Sequence, residues 1–117
     1  MVFCLRRKAG MTREEFQHYW LEDHAPKVAA VAAQTGMLRY VQSHTYDSAM
    51  GASAARSRHA SEDYDGLMEG WWESEDAARA AFAAHGPEAA LMLLDDERKF
   101  IDLERSALFM TREHHIF

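Results

Sequence analysis

"REEFQHYWLEDHAPKV", residues 13–28, decides the fold. Phe16, Trp20, His24 and Val28 recur every four residues, so they form one stripe along a helix. Just upstream, Thr12 and Glu15 make a capping box, a hydroxyl and a carboxylate that satisfy free N–H groups reciprocally. Pro26 has no N–H and predicts a kink or restart, after which the helix continues from Lys27 to Ala33 and stops at Gly36. His24 interrupts the apolar stripe before Val28. It either closes the helix by bonding a free carbonyl, with Asp23 solvated beside it, or it is a titratable group aimed into a pocket.

Strand patterns flank this helix. Met1 to Arg7 is a short apolar run ending in charge, and Arg6-Arg7-Lys8 reads as a strand end reaching water. From Met37 to Tyr46, Leu38, Tyr40, Gln42 and His44 alternate against Arg39, Val41, Ser43 and Thr45. Leu67 to Glu73 alternates Met68, Gly70 and Trp72 against Leu67, Glu69 and Trp71. Ser74 caps a second helix carrying Ala78, Ala81 and Phe82, which ends at His85-Gly86-Pro87. A short helical piece from Glu88 to Leu94 and an acidic turn, Asp95-Asp96-Glu97, follow. The last strand is Ala107 to Glu113, a neighbour for Met1 to Arg7. Asp47 to Ser61, "DSAMGASAARSRHAS", has no apolar period and reads as a long mobile connection suited to a lid.

A strand, a capped helix and His-small-Pro occur twice, at His24-Ala25-Pro26 and His85-Gly86-Pro87. The order of elements is βαβ-βαβ, so the fold class is α+β: a ferredoxin-like, four-stranded antiparallel sheet with helices on one face. The other face, expected to carry Tyr40 and one of Trp71 or Trp72, needs a partner. A homodimer packed sheet to sheet is the expectation.

A chain of 117 residues is one domain, 1–117. A net charge of −6, from 13 basic and 19 acidic residues, argues against nucleic acid and against an anionic membrane as partners. The lone Cys4 excludes an internal disulfide and reads as a small buried hydrophobe among Val2, Phe3 and Leu5. No apolar run has membrane-span or signal-peptide length, so the expected location is cytoplasmic. There is no Gly-rich phosphate loop, nucleophile elbow or dinucleotide fingerprint. The seven histidines show no convincing pairing on one helix face, so no metal is expected.

The stretch "KAGMTREEFQHYWLEDHAPKV" resembles the signature of the EthD domain family, and "DDERKFID" is similar to its late acidic segment. That resemblance implies the dimeric α+β barrel superfamily, with a pocket between each sheet and its helices. The superfamily includes cofactor-free monooxygenases, lactone isomerases, polyketide cyclases, decarboxylases and haem-handling proteins. A haem would call on His24 or His85; no cofactor is expected here.

Three residues are candidates for chemistry. His24, beside Trp20 and Phe16, is kept neutral by those rings and so fits a general base. Tyr40 and His44 share a strand face and would polarise a carbonyl or move a proton, although a strand-end histidine near Asp47 is also an ordinary solvated group. Phe16, Trp20, Met68, Trp72 and Phe109 are the expected binding surface, with Gly70 leaving room beside Trp72. The functional expectation is a cofactor-independent enzyme doing acid/base chemistry on a hydrophobic, oxygenated, polyketide-like aromatic: cyclisation, dehydration, isomerisation or decarboxylation. The alternatives are a non-catalytic ligand-binding or accessory protein and a cofactor-free monooxygenase.

Overall fold

The computed structural model describes residues 1–85 and 87–117. Its elements run β1 (Val2–Leu5), α1 (Arg13–His18), a π-helical stretch (Tyr19–His24), α2 (Ala25–Thr35), β2 (Arg39–His44), α3 (Ala49–Ser57), β3 (Gly66–Trp71), α4 (Glu75–His85), α5 (Pro87–Glu97), a 3₁₀ turn (Leu103–Arg105) and β4 (Ala107–Phe109). The strands form one antiparallel sheet in the order β2-β3-β1-β4. This is the ferredoxin-like α+β arrangement that the element order implies. The repeated His-small-Pro brackets the α4–α5 junction as it does the start of α2; its middle residue, Gly86, lies outside the described residues.

Register assigns every strand residue to a face. Phe3 pairs with Met68 and Leu108, and Met68 with Gln42, so Phe3, Leu5, Met68, Tyr40, Gln42 and His44 point toward the helices. Val2, Cys4, Val41, Leu67, Glu69, Trp71 and Phe109 point away. Tyr40 therefore lies on the covered face, opposite to the expectation that it would help form the exposed one. Trp71 is on the uncovered face, where the Arg39 guanidinium lies 4.5 Å from its ring centre. Phe109 is there too and is 47% exposed, which removes it from any helix-side binding surface.

The core is Phe3, Leu5, Phe16, Trp20, Met68, Phe100 and Ile101, wedged between the covered face and the first helix. Phe16 and Trp20 are fully buried, as their stripe requires, and each such side chain contributes roughly 1.5–3 kcal/mol. Thr12 and Glu15 form the expected capping box. Gly66 is required for this packing, since a Cβ there would overlap the Trp20 ring.

Three local expectations are corrected. Asp47–Ser61 is largely helix: Ser48 caps α3 through the Gly51 N–H, and alanine propensity sustains it without any buried side chain. Asp95-Asp96-Glu97 is the last turn of α5 and not a connecting turn. Cys4 is only half-buried and faces the uncovered side. Among the described residues, no helix is long and apolar enough to cross a membrane.

Candidate active site

Local geometry first explains how His24 is held. In an α-helix a four-residue repeat drifts about 40° per step, because a turn takes 3.6 residues. The π stretch has wider turns, with the Ala25 N–H bonding to the Trp20 carbonyl, and this keeps Trp20, His24 and Val28 on one buried line. Pro26 sits in the first turn of α2, where its missing N–H costs little. The Trp20 carbonyl also accepts from Gln42 Nε2 at 3.0 Å, which ties the stretch to β2.

His24 is 4% exposed and closes no helix end. Its Nδ1 lies 2.8 Å from Asp96 Oδ2. The other carboxylate oxygen, Oδ1, accepts from the Tyr19 hydroxyl (2.8 Å), Lys27 Nζ (2.8 Å) and Lys99 Nζ (3.1 Å). Burial opposes ionisation of Asp96, but hydrogen bonds from Lys27, His24, Tyr19 and Lys99 outweigh it and hold the acid far below the usual carboxylate range. An ionised carboxylate only accepts, so Nδ1 must carry the imidazole proton. Burial pushes the imidazole below its ordinary value, and the bond to Asp96 recovers only part of that shift. His24 is thus neutral around pH 7, with its lone pair on Nε2.

That nitrogen has no hydrogen-bond partner among the described residues, yet none of their buried polar side-chain atoms is both sealed and unpaired. Nε2 therefore keeps access to the cavity that His24 lines. The cavity, about 170 Å³, lies between the sheet and α2, α4 and α5, with walls that include Trp20, Val28, Met37, Met68, Trp72 and Ile101. The Trp72 indole N–H donates to the Thr35 carbonyl at 2.8 Å, and Gly70 admits its ring, since a Cβ there would stand 3.0 Å from it.

Tyr40 lines the same cavity. Its hydroxyl oxygen accepts from Trp20 Nε1 at 3.1 Å and from Gln42 Nε2 at 3.2 Å. Both lone pairs are then used, and the O–H proton has no acceptor among the described residues. Burial raises the phenol above its ordinary value, so the proton stays on. His44 lies outside the cavity. It stacks on Trp20 with ring centres 4.7 Å apart, and its Nε2–H donates to Gln42 Oε1 at 2.9 Å. It fixes the amide that holds Tyr40.

The geometry brings His24, Tyr40, Trp20, Met68 and Trp72 to one cavity and leaves out His44, Phe16 and Phe109. Phe16 packs beneath it, 5.6 Å from both Trp20 and Phe100. Two residues escaped the sequence reading: Asp96, which orients His24, and Glu97, which lines the cavity. Both stand in "DDERKFID", and that segment was the available signal.

A model of the EthD domain matches residues 8–104. The chain belongs to the EthD domain family. The match covers the capped first helix, the π stretch with His24, and the Asp96–Glu97 segment, so His24, Tyr40 and Glu97 all lie inside the EthD domain. No curated protein matches this EthD chain.

Proposed function

We propose that this EthD protein catalyses cofactor-independent proton transfer on a small, hydrophobic, oxygenated ring compound. The observation that carries the reading is a buried imidazole whose proton-bearing nitrogen is committed to Asp96, while its free nitrogen opens on an apolar cavity. His24 Nε2 takes a proton from an acidic C–H or hydroxyl. Tyr40, with its acceptor sites filled, offers its proton to a ligand oxygen. A cavity of about 170 Å³ compares with the roughly 150 Å³ engineered space that takes benzene, so about one ring is enclosed. Isomerisation, dehydration and cyclisation can each begin with such a proton movement.

We further propose a homodimer through the uncovered sheet face, where Val2, Val41, Leu67, Trp71 and Phe109 would otherwise meet water. Sedimentation should give twice the chain mass, and Phe109→Glu should halve it. Sedimentation as a single chain would sink that part.

The test of function uses single-ring hydroxylated aromatic ketones in deuterated buffer without added cofactor. Mass spectrometry should record deuterium gain at the carbon next to the carbonyl in wild type and not in a folded His24→Gln variant. Ketones that bind and stay unchanged in wild type would make the protein a carrier.

A further inference from the structure

Glu97 is the group in this cavity that the reading above leaves unused. It is half-buried at the end of α5 and lines the cavity with His24 and Tyr40. Its carboxyl has no hydrogen-bond partner among the described residues, and because none of their polar atoms is both sealed and unpaired, it retains an open side. A carboxyl in apolar surroundings without a cation beside it is unusual and expensive to ionise.

Resting on the assignment of His24 as the base, we propose that Tyr40 and Glu97 form a two-donor cradle for a carbonyl oxygen, and that the substrate class is a neutral cyclic or aryl ketone handled through its enolate. In the step, His24 Nε2 takes a proton from the carbon next to the carbonyl. The C–H electron pair becomes the new C=C bond, and the carbonyl π pair moves onto oxygen. Hydrogen bonds from Tyr40 Oη–H and Glu97 Oε–H stabilise that oxygen. The imidazolium then either swaps its Nε2 proton with solvent and delivers a solvent proton to the same carbon, which is exchange, or passes its proton to a conjugated carbon, which isomerises the ketone. Nothing is oxidised or reduced, and the protein ends in its starting protonation state.

Four features support the cradle. Both donors line the cavity that His24 lines. Tyr40 comes to the cavity from β2 and Glu97 from the last turn of α5, so both donors stand on regular elements. Trp20 and Gln42 occupy the acceptor positions of Tyr40, so the phenol meets a ligand only as a donor. Besides Glu97, the ionisable groups along the cavity are His24 from the π stretch, Tyr40 from β2 and the residue Met1, whose ammonium donates to the Gly70 carbonyl at 2.9 Å; the Asp96 charge adjoins Glu97 on α5, while β1, β3, α2 and α4 bring no charged side chain to the cavity among the described residues. Burial, reinforced by the Asp96 charge, pushes Glu97 up to about 7, so near neutrality much of it carries the proton it must donate. A carboxylic acid kept neutral by an apolar site is an established oxyanion donor. The same lining suits a neutral ligand: among the described residues it holds no lysine or arginine, and the Met1 ammonium is engaged by the Gly70 carbonyl.

The test uses acetophenone labelled with ¹³C at the carbonyl, read by isotope-edited infrared difference spectra on the full-length protein. At pH 6 the bound carbonyl band should move to lower frequency than in water, and Tyr40→Phe and Glu97→Gln should each reduce that shift. Between pH 6 and 8 wild-type affinity should fall about tenfold as Glu97 loses its proton, because only the protonated fraction binds well. Glu97→Gln, which keeps a donor but cannot ionise, should bind equally at both values. An unshifted band, absence of binding at pH 6, or a Glu97→Gln protein with wild-type shift and pH dependence would overturn the cradle. His24→Gln separates the two ideas. It should keep the band shift and lose deuterium exchange at the methyl group. Exchange that needs His24 beside a band indifferent to Glu97 would refute the cradle alone, whereas a cradle intact in a wild-type protein without exchange would refute the base alone.

Discussion

Two aspartates are buried in this protein, and their partners differ in kind. Asp65 is 7% exposed and is held by Arg7, by Arg13 Nε at 3.2 Å and by the Arg7 backbone N–H at 2.8 Å. Asp96 is 3% exposed and is held by an imidazole, a phenol and two lysines. Burial opposes ionisation at both, and at both the donors prevail, so each stays charged at neutral pH. The guanidinium groups around Asp65 never give up a proton, so that cluster can only fasten β1, α1 and the start of β3 together. The Asp96 cluster contains an imidazole, which can take up and release a proton and opens on a cavity. A buried carboxylate thus marks structure or chemistry according to whether its partners can change protonation state.

Removing each carboxylate should separate the two roles. Asp96→Asn should have the largest effect: it no longer fixes the His24 tautomer, and ketone proton exchange should fall by about 10²–10⁴-fold while ketone binding persists. Asp65→Asn leaves two arginines facing an uncharged amide. Its urea midpoint should drop by an amount worth about 3 kcal/mol, with the exchange rate per folded molecule unchanged. If Asp65→Asn instead removed exchange in folded protein, the division would be wrong.

The pH dependence of stability sharpens the same contrast. Asp65 and Asp96 are depressed in the folded state, so their contribution is present above the ordinary aspartate value and is lost as pH falls through and below about 4. Glu97 has the opposite sign. Its raised value favours the folded state at low pH, and that contribution of about 3 kcal/mol is lost as pH rises through about 7. Unfolding measured from pH 3 to 9 should therefore show greatest stability between these limits, and Glu97→Gln should flatten only the alkaline limb. The smallest effect belongs to His44→Ala, which removes the stack on Trp20 and a bond to Gln42. It should cost about 1 kcal/mol and slow exchange only modestly, through Tyr40.

Much of the fold was legible where spacing and burial agree. The stripe Phe16-Trp20-His24-Val28, the capping box and the alternation along β2 each follow from a period that packing also demands. Tyr40 was assigned to the wrong face because alternation says which residues share a side but not which side the helices cover. The segment containing α3 hid its helix because its stability comes from a serine cap and alanines, with no buried side chain to mark a face. Phe109 misled because β4 is only three residues long and turns its aromatic side chain away from the cavity. At the site, His24 was legible from its own helix. Asp96 was not, because its partner lies 72 residues away and an Asp-Asp-Glu run looks like a solvated turn. Glu97 shared that disguise.

The direct test of the central claim is the ring ¹⁵N spectrum of His24 between pH 5 and 8. The expected spectrum is that of a neutral imidazole at pH 7 with the proton on Nδ1, a bare Nε2, and a titration midpoint below that of a free histidine. An imidazolium at pH 7, or a neutral ring protonated on Nε2, would contradict it.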